Sequence, residues 1–170
     1  RPELIRDLGG GNNICLLVSR QQSKPGFHHC FITNLIPNDC VISTASREAN
    51  QVFPLYRYEK DVLLDKVEKV SNIKKGFQEY VNDFYNSKIT PERILDYIYG
   101  ILHSPNYREH YKSFLKSDYP RIPLIKRIDI FNKISEKGSE LRKIHLFDYK
   151  IYNTLKTKFN VAGNNEITSI

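Results

Sequence analysis

Tryptophan and methionine are both missing from this 170-residue chain, and cysteine occurs only three times. Each absence excludes something. Without an initiating Met, the chain reads as a piece cut from a longer polypeptide. Cys15, Cys30 and Cys40 are an odd number, which argues against a disulfide framework and for reduced, intracellular thiols. No window is apolar for long enough to span a bilayer and no secretory pattern opens the chain, so no membrane partner is expected. Hydrolytic signatures are absent as well. There is no G-x-S-x-G, no Asp followed by a Glu-x-Lys strand, and no Cys–His pair with an orienting group.

What is present in excess is positive charge. Lys and Arg number 26 against 19 Asp and Glu, a net charge of +7. That balance raises the expectation of a polyanionic partner, because each neutralised phosphate releases counterions. Placement along the chain must decide, since basic charge alone is common.

The hydrophobic pattern divides the chain. ICLLVSR (14–20), FHHCFITNLI (27–36), CVIST (40–44) and VFPLYRYE (52–59) read as four strands. Pro54 cannot donate to a ladder, so the fourth is an edge strand or carries a bulge. Beyond residue 60 the period lengthens. Ile73, Phe77, Tyr80, Val81 and Phe84 predict an amphipathic helix over 72–85. Thr90-Pro91-Glu92 opens a second, with Ile94, Ile98, Ile101 and Leu102 inward. Ser104-Pro105 repeats that entry for a third helix, whose buried face would be Tyr107, Tyr111, Phe114 and Leu115. His103, at the preceding helix end, suits the dipole there when partly protonated. YPRIPL (119–124) must be extended, because two prolines forbid helix. A last helix, 127–147, would bury Phe131, Ile134, Leu141 and His145, with Gly138 permitting close helix packing. The fold class expected is α+β: a small N-terminal, mostly antiparallel sheet, then a helical half of about four helices. Residues 1–60 would form the β-rich part and 61–150 the helical part of one domain, with 151–170 beginning a truncated segment.

Several motifs resolve into structural roles. GGGNN (9–13) lacks the Lys-Ser/Thr ending of a phosphate loop and precedes a strand, so it reads as a turn. His28, His29, Cys30 and Cys40 lack metal-ligand spacing, and alternation sends the two His to opposite faces of a strand. Tyr56 and Tyr58 share a face and are expected to pack under the helical half. One stretch resists a structural reading. SRQQSKPGFHH (19–29) places Arg20, Gln21, Gln22, Lys24, His28 and His29 on one connection, and Arg47 and Asn50 occupy another. Arg and Lys reach guanine and phosphate, and Gln pairs with adenine. In a meander both loops would leave the sheet at one end, giving a surface for duplex DNA. The alternative is a non-catalytic structural or interdomain module whose charge is incidental.

Larger segments carry a family pattern. NNICLLVSRQ, FITN, NQVFPLYRYE, TPERILDYIYGILHSPNYREHYKSFLKSDYPRIPL and GSELRKIHL together resemble the C-terminal part of type ISP restriction–modification enzymes and their type IIG-like relatives. The likeness covers about residues 3–165. It implies a target-recognition region that follows an N6-adenine DNA methyltransferase in a polypeptide that also bears a nuclease. On that view the fragment holds no cofactor. S-adenosylmethionine and Mg2+ belong to the parent enzyme, and the methyltransferase domain is a neighbour.

Overall fold

ICLLV supplies the middle strand of an antiparallel sheet. Strand β1 (Cys15–Val18) pairs with β2 (Cys30–Thr33) on one side and β3 (Gln51–Pro54) on the other, in the order β2-β1-β3. The structure is a computed structural model and describes residues 2–8, 13–21, 26–28, 30–42, 49–61 and 66–148. Opposed residues share a face, so Val18, Cys30 and Ile32 line the side that enters the core. Cys15 and Leu17 are buried on the other side. A strand buried on both faces is what a continuous apolar run requires. Burial pushes the Cys15 and Cys30 thiols up to about 12, so both are inert at neutral pH.

The strand expectations need three corrections. The ladder of β2 stops at Thr33, because the Thr33 hydroxyl accepts from the Leu35 N–H at 3.0 Å and turns the chain away. Leu35 and Ile36 are consequently exposed. No third strand forms at 40–42, which is turn and bend, and 43–48 lie outside the described residues. The single strand expected at 52–59 is two strands. Leu55 divides β3 from β4 (Tyr56–Asp61), its N–H donating to Ile14 and its carbonyl accepting from Asn72. Pro54 ends the edge strand, as its missing N–H demands. Strand β4 then pairs antiparallel with β5 (Lys66–Ser71) in a separate two-stranded sheet. The sequence hides β5 because KVEKVS offers no continuous apolar face, and Val67 is exposed.

Asn13, the last residue of the GGGNN run, ties these pieces together. Its Nδ2 donates to the carbonyls of Asp7 and Tyr56, and its Oδ1 accepts from the Ile14 and Tyr56 N–H groups. Asp7, near the end of helix α1 (Pro2–Leu8), accepts from the Tyr58 N–H. A short helix, the central strand and the hairpin are thus joined through one buried amide. The hairpin also docks on the helices, because the Tyr56 hydroxyl donates to Glu92, and within the hairpin Lys69 lies 4.1 Å from the Tyr56 ring centre.

Five helices follow: α2 (Lys75–Tyr85), α3 (Pro91–His103), α4 (Pro105–His110), α5 (Lys112–Ser117) and α6 (Ile128–His145). Thr90 caps α3 through the Arg93 N–H. Ser104 both ends α3 and caps α4 through the Tyr107 N–H. The third predicted helix breaks at Tyr111 into α4 and α5, and Phe114 faces solvent rather than core. On α2 the inward residues are Val81 and Tyr85. Phe77, Tyr80 and Phe84, expected inside, form an exposed aromatic face.

The densest contact is α3 against α6. A Cβ on Gly138 would lie 1.8 Å from the Asp96 carbonyl oxygen, so only glycine allows this approach. Beside it, Arg142 donates to both carboxylate oxygens of Asp96 at 2.5 and 3.0 Å, in a pair that is nearly sealed from solvent. The Tyr99 hydroxyl and His145 Nδ1 are 2.6 Å apart. His103 does not act as a charged helix end. Burial, the largest influence, drives its imidazole below the ordinary histidine range, while Nδ1 donates to the Tyr99 carbonyl.

Tyrosines also hold the extended segment. Pro120 and Pro123 have no N–H, so residues 119–125 cannot join a ladder. Instead the carbonyls of Arg121, Pro123 and Ile125 accept from the hydroxyls of Tyr107, Tyr97 and Tyr85 at 2.9, 2.6 and 2.6 Å. Alternate carbonyls of an extended chain point the same way, which is why three tyrosines on different helices can serve one segment.

Candidate nucleic-acid interface

The register of the sheet brings the two polar connections together. Val18 pairs with both Cys30 and Gln51, so β1 leaves the sheet at the end where β2 and β3 enter it. Residues 19–29 and the 49–50 approach to β3 therefore share one end, as the sequence suggested. They do so because β3 adds beside β1 and not through a consecutive meander.

The 19–29 connection is gripped at both ends by the helices. At its start, Arg20 is largely exposed and its Nε lies 3.4 Å from Asp118, the residue that ends α5. The Tyr119 backbone N–H, and then Arg20, hold the Asp118 carboxyl below the usual carboxylate range, so it stays ionised at neutral pH. At the other end Phe27 is buried, with the Arg108 guanidinium 5.6 Å from its ring centre. Arg108 is itself fixed by donating to the Leu102 carbonyl at 2.6 Å. Between these anchors Gly26 adopts a φ of 88°, where an L side chain is strained, and a Cβ there would lie 2.9 Å from His28 Nε2.

Of the eight residues expected at this surface, four are described. Arg20, Gln21 and His28 are exposed at the shared end. Gln22, Lys24, His29 and Arg47 lie outside the described residues. Asn50 departs from expectation. It is only 8% exposed, its Oδ1 accepts from the Val41 N–H at 2.9 Å, and its N–H donates to Asp39. It pins the crossover to the sheet and does not present its amide outward. Asn50 Nδ2 and Ser19 Oγ are buried and, among the described residues, have no hydrogen-bond partner. In the register they follow the Val18–Gln51 pair, so two unsatisfied polar groups sit at the root of both connections.

Three neighbours of this end escaped the sequence reading. Asp118 looked like an isolated cap, and nothing in the sequence links it to Arg20, far upstream in the chain. Tyr119 meets Phe53 edge to face at 6.1 Å. Both rim an apolar cleft of about 580 Å3, floored by Leu16, Leu95 and Leu102.

The chain matches the Type ISP C-terminal specificity domain over residues 1–170. No curated protein matches it. Among solved structures it resembles a DrdV–DNA complex determined by cryo-EM, with 27% identity, a TM-score of 0.65 and 85% of this chain covered. It also resembles a nuclease-deletion mutant of the Type ISP restriction–modification enzyme LlaGI in complex with a DNA substrate mimic, with 28% identity, a TM-score of 0.56 and 79% covered. The chain spans 13% and 10% of those two proteins. The family match runs the whole length of the chain, sheet and helical half together, and this chain belongs to the family of Type ISP C-terminal specificity domains.

Proposed function

We propose that this domain reads a sequence in duplex DNA through the loop end of its sheet, as the target-selecting part of a longer restriction–modification enzyme. The observation that carries the reading is the convergence, at one end of a three-stranded sheet, of two polar connections, with Arg20, Gln21 and His28 exposed there. Arg20 and Gln21 are the candidates for base contacts, because they leave a paired strand and Arg20 is held by Asp118. A guanine edge or a phosphate could replace that exposed carboxylate. Lys24, beside Pro25-Gly26, suits phosphate contact. Gln22, His29 and Arg47 complete the surface, and Asn50 positions it. The methyl transfer, with S-adenosylmethionine, and the Mg2+-dependent cleavage are assigned to other domains of the parent chain, the methyltransferase being the adjoining partner. Support for DNA as the ligand comes from the specificity-domain family and from two structural relatives captured with DNA.

The test is affinity for cognate and scrambled duplexes at several salt concentrations, in the full-length enzyme. Arg20→Ala or Gln21→Ala should cost about 1–3 kcal/mol on the cognate site and far less on scrambled DNA. Lys24→Ala should weaken all duplexes alike and lower the salt slope by about one. An unchanged cognate-to-scrambled ratio in both Arg20→Ala and Gln21→Ala would remove these residues from base readout. The assignment of chemistry elsewhere has its own check: the isolated domain with labelled S-adenosylmethionine and duplex DNA should transfer no label.

A further inference from the structure

A second cationic surface lies at the far end of the molecule. A groove of about 840 Å3 runs between the β4–β5 hairpin, the start of α2 and the start of α3. Its walls carry Arg57, Lys74, Lys75 and Lys88 against one carboxylate, Glu79. Arg57 is engaged by Glu59 at 3.2 Å, and Lys75 reaches Glu79 only at 3.9 Å. Among the described residues, Lys74 and Lys88 have no ion-pair partner.

The groove is a built feature and not a loose patch. Asn72 Nδ2 donates to the Pro54 carbonyl at 2.8 Å, fixing the hairpin wall. Opposite, Gln78 Nε2 donates to the Ile89 carbonyl at 2.6 Å, while Asn82 Oδ1 accepts from the Ile89 N–H at 2.9 Å. Ile89 is buried, so its neighbour Lys88 is held at the rim on an anchored backbone. The start of α2 contributes no acidic residue in its first turn and no side-chain cap, which leaves its positive end uncompensated beside Lys74 and Lys75.

We propose that this groove holds the sugar-phosphate backbone of the same duplex whose bases meet the loop end. The proposal rests on the DNA-reading function above. Helix α3 connects the two places: Thr90 and Pro91 border the groove, and Leu102 receives Arg108 beside Phe27 at the other end. Thirteen residues at 1.5 Å each make that separation about 20 Å, or about six base-pair steps along a duplex. Phosphates in the groove would therefore flank the recognised bases, adding affinity and register without sequence preference.

The experiment compares the full-length enzyme with a Lys74→Ala/Lys75→Ala/Lys88→Ala variant. All three side chains are exposed, so the fold should be retained, and thermal melting of the variant verifies this. Affinity is measured against salt on three duplexes: a long cognate one, a long scrambled one, and a cognate one trimmed to the recognised bases with one flanking pair at each end. On long duplexes the salt slope should fall by about one per lysine, about three in all, equally for cognate and scrambled DNA. On the trimmed duplex the variant and the parent should bind alike. Affinity within twofold of the parent on long duplexes would overturn the proposal. So would a loss confined to the cognate sequence, which would make the groove a reader of bases. Failure of the loop-end reading is separately visible, because it would leave the specificity ratio of Arg20→Ala unchanged while the groove variant still lost its salt slope.

Discussion

The α3–α6 pair and the β1-centred sheet solve the problem of holding a chain together in opposite ways. Between the helices the backbones approach closely. A glycine touches the opposing backbone, a buried guanidinium is clamped by a buried carboxylate, and the Phe131 ring lies 4.6 and 4.7 Å from those of Tyr97 and Tyr85. The sheet has three strands of four residues, an incompletely filled apolar cleft on one face and, where its connections begin, two buried polar groups that have no hydrogen-bond partner among the described residues. On the proposed reading the stiff region serves as the mount, and the economical one carries the parts that would meet DNA. Mutations should divide along the same line: large stability effects without loss of specificity in the first, and the reverse in the second.

The sharpest test of that division is Gly138→Ala. Its Cβ would collide with main chain and not with a movable side chain, so the cost should exceed the about 1–3 kcal/mol of ordinary overpacking, and little folded protein should be recovered. Next comes Arg142→Met, which strands Asp96 in the interior. Chemical denaturation should show a loss of about 3–5 kcal/mol, and a second change, Asp96→Leu, should recover much of it. Should the single variant prove as stable as the parent, the buried pair would not be the fastening described. Ser104→Ala should cost about 1 kcal/mol through loss of the cap on α4, with the cognate-to-scrambled ratio intact. Tyr107→Phe leaves the Arg121 carbonyl without its donor and should cost about 1 kcal/mol. It sharpens the comparison because the freed segment begins at Tyr119, next to the residue that holds Arg20, so a fall in specificity here would mean that mount and reader are coupled.

The smallest expected effect is a pH dependence. Burial lowers both His103 and His145 below the ordinary value, so the unfolded chain takes up protons before the folded one does. Their contribution is complete above the unfolded histidine value of about 6.5 and declines as pH falls through the window down to the folded values. Melting temperature measured across this range should fall on the acid side. His145→Asn should flatten the slope.

Much of the helical half was legible because its signals are local. Thr90-Pro91-Glu92 and Ser104-Pro105 mark helix starts within three residues, and the paired prolines at 120 and 123 forbid anything but extended chain. Gly138 was readable as a packing site from its place on the inward face of the last helix. The aromatic face of α2 misled because Phe77, Tyr80 and Phe84 obey helical spacing whether or not anything covers them. Strand β5 was invisible, since it is held by its pairing with β4 and not by its own pattern. The candidate interface divided in the same way. Clustered hydrogen-bonding residues at 19–29 could be seen in the sequence, and the sheet register that sets them beside residues 49–50 agreed. The burial of Asn50 and the tether from Asp118 depend on contacts between distant parts of the chain, which no local pattern encodes.

The β2-β1-β3 order has an evolutionary corollary. Both polar connections meet the same rung of the sheet, and the other fastenings of the first, Asp118 and Arg108, lie on the helical body. In general, doubling the length of a loop costs only about 0.6 kcal/mol in closure entropy. If the loop end reads the target as proposed, a lineage could insert, delete or exchange residues within 22–25 or 43–48 and acquire new target sequences while the mount stays unaltered. Transplanting both stretches between two members of the family is the way to learn whether specificity travels as a cassette.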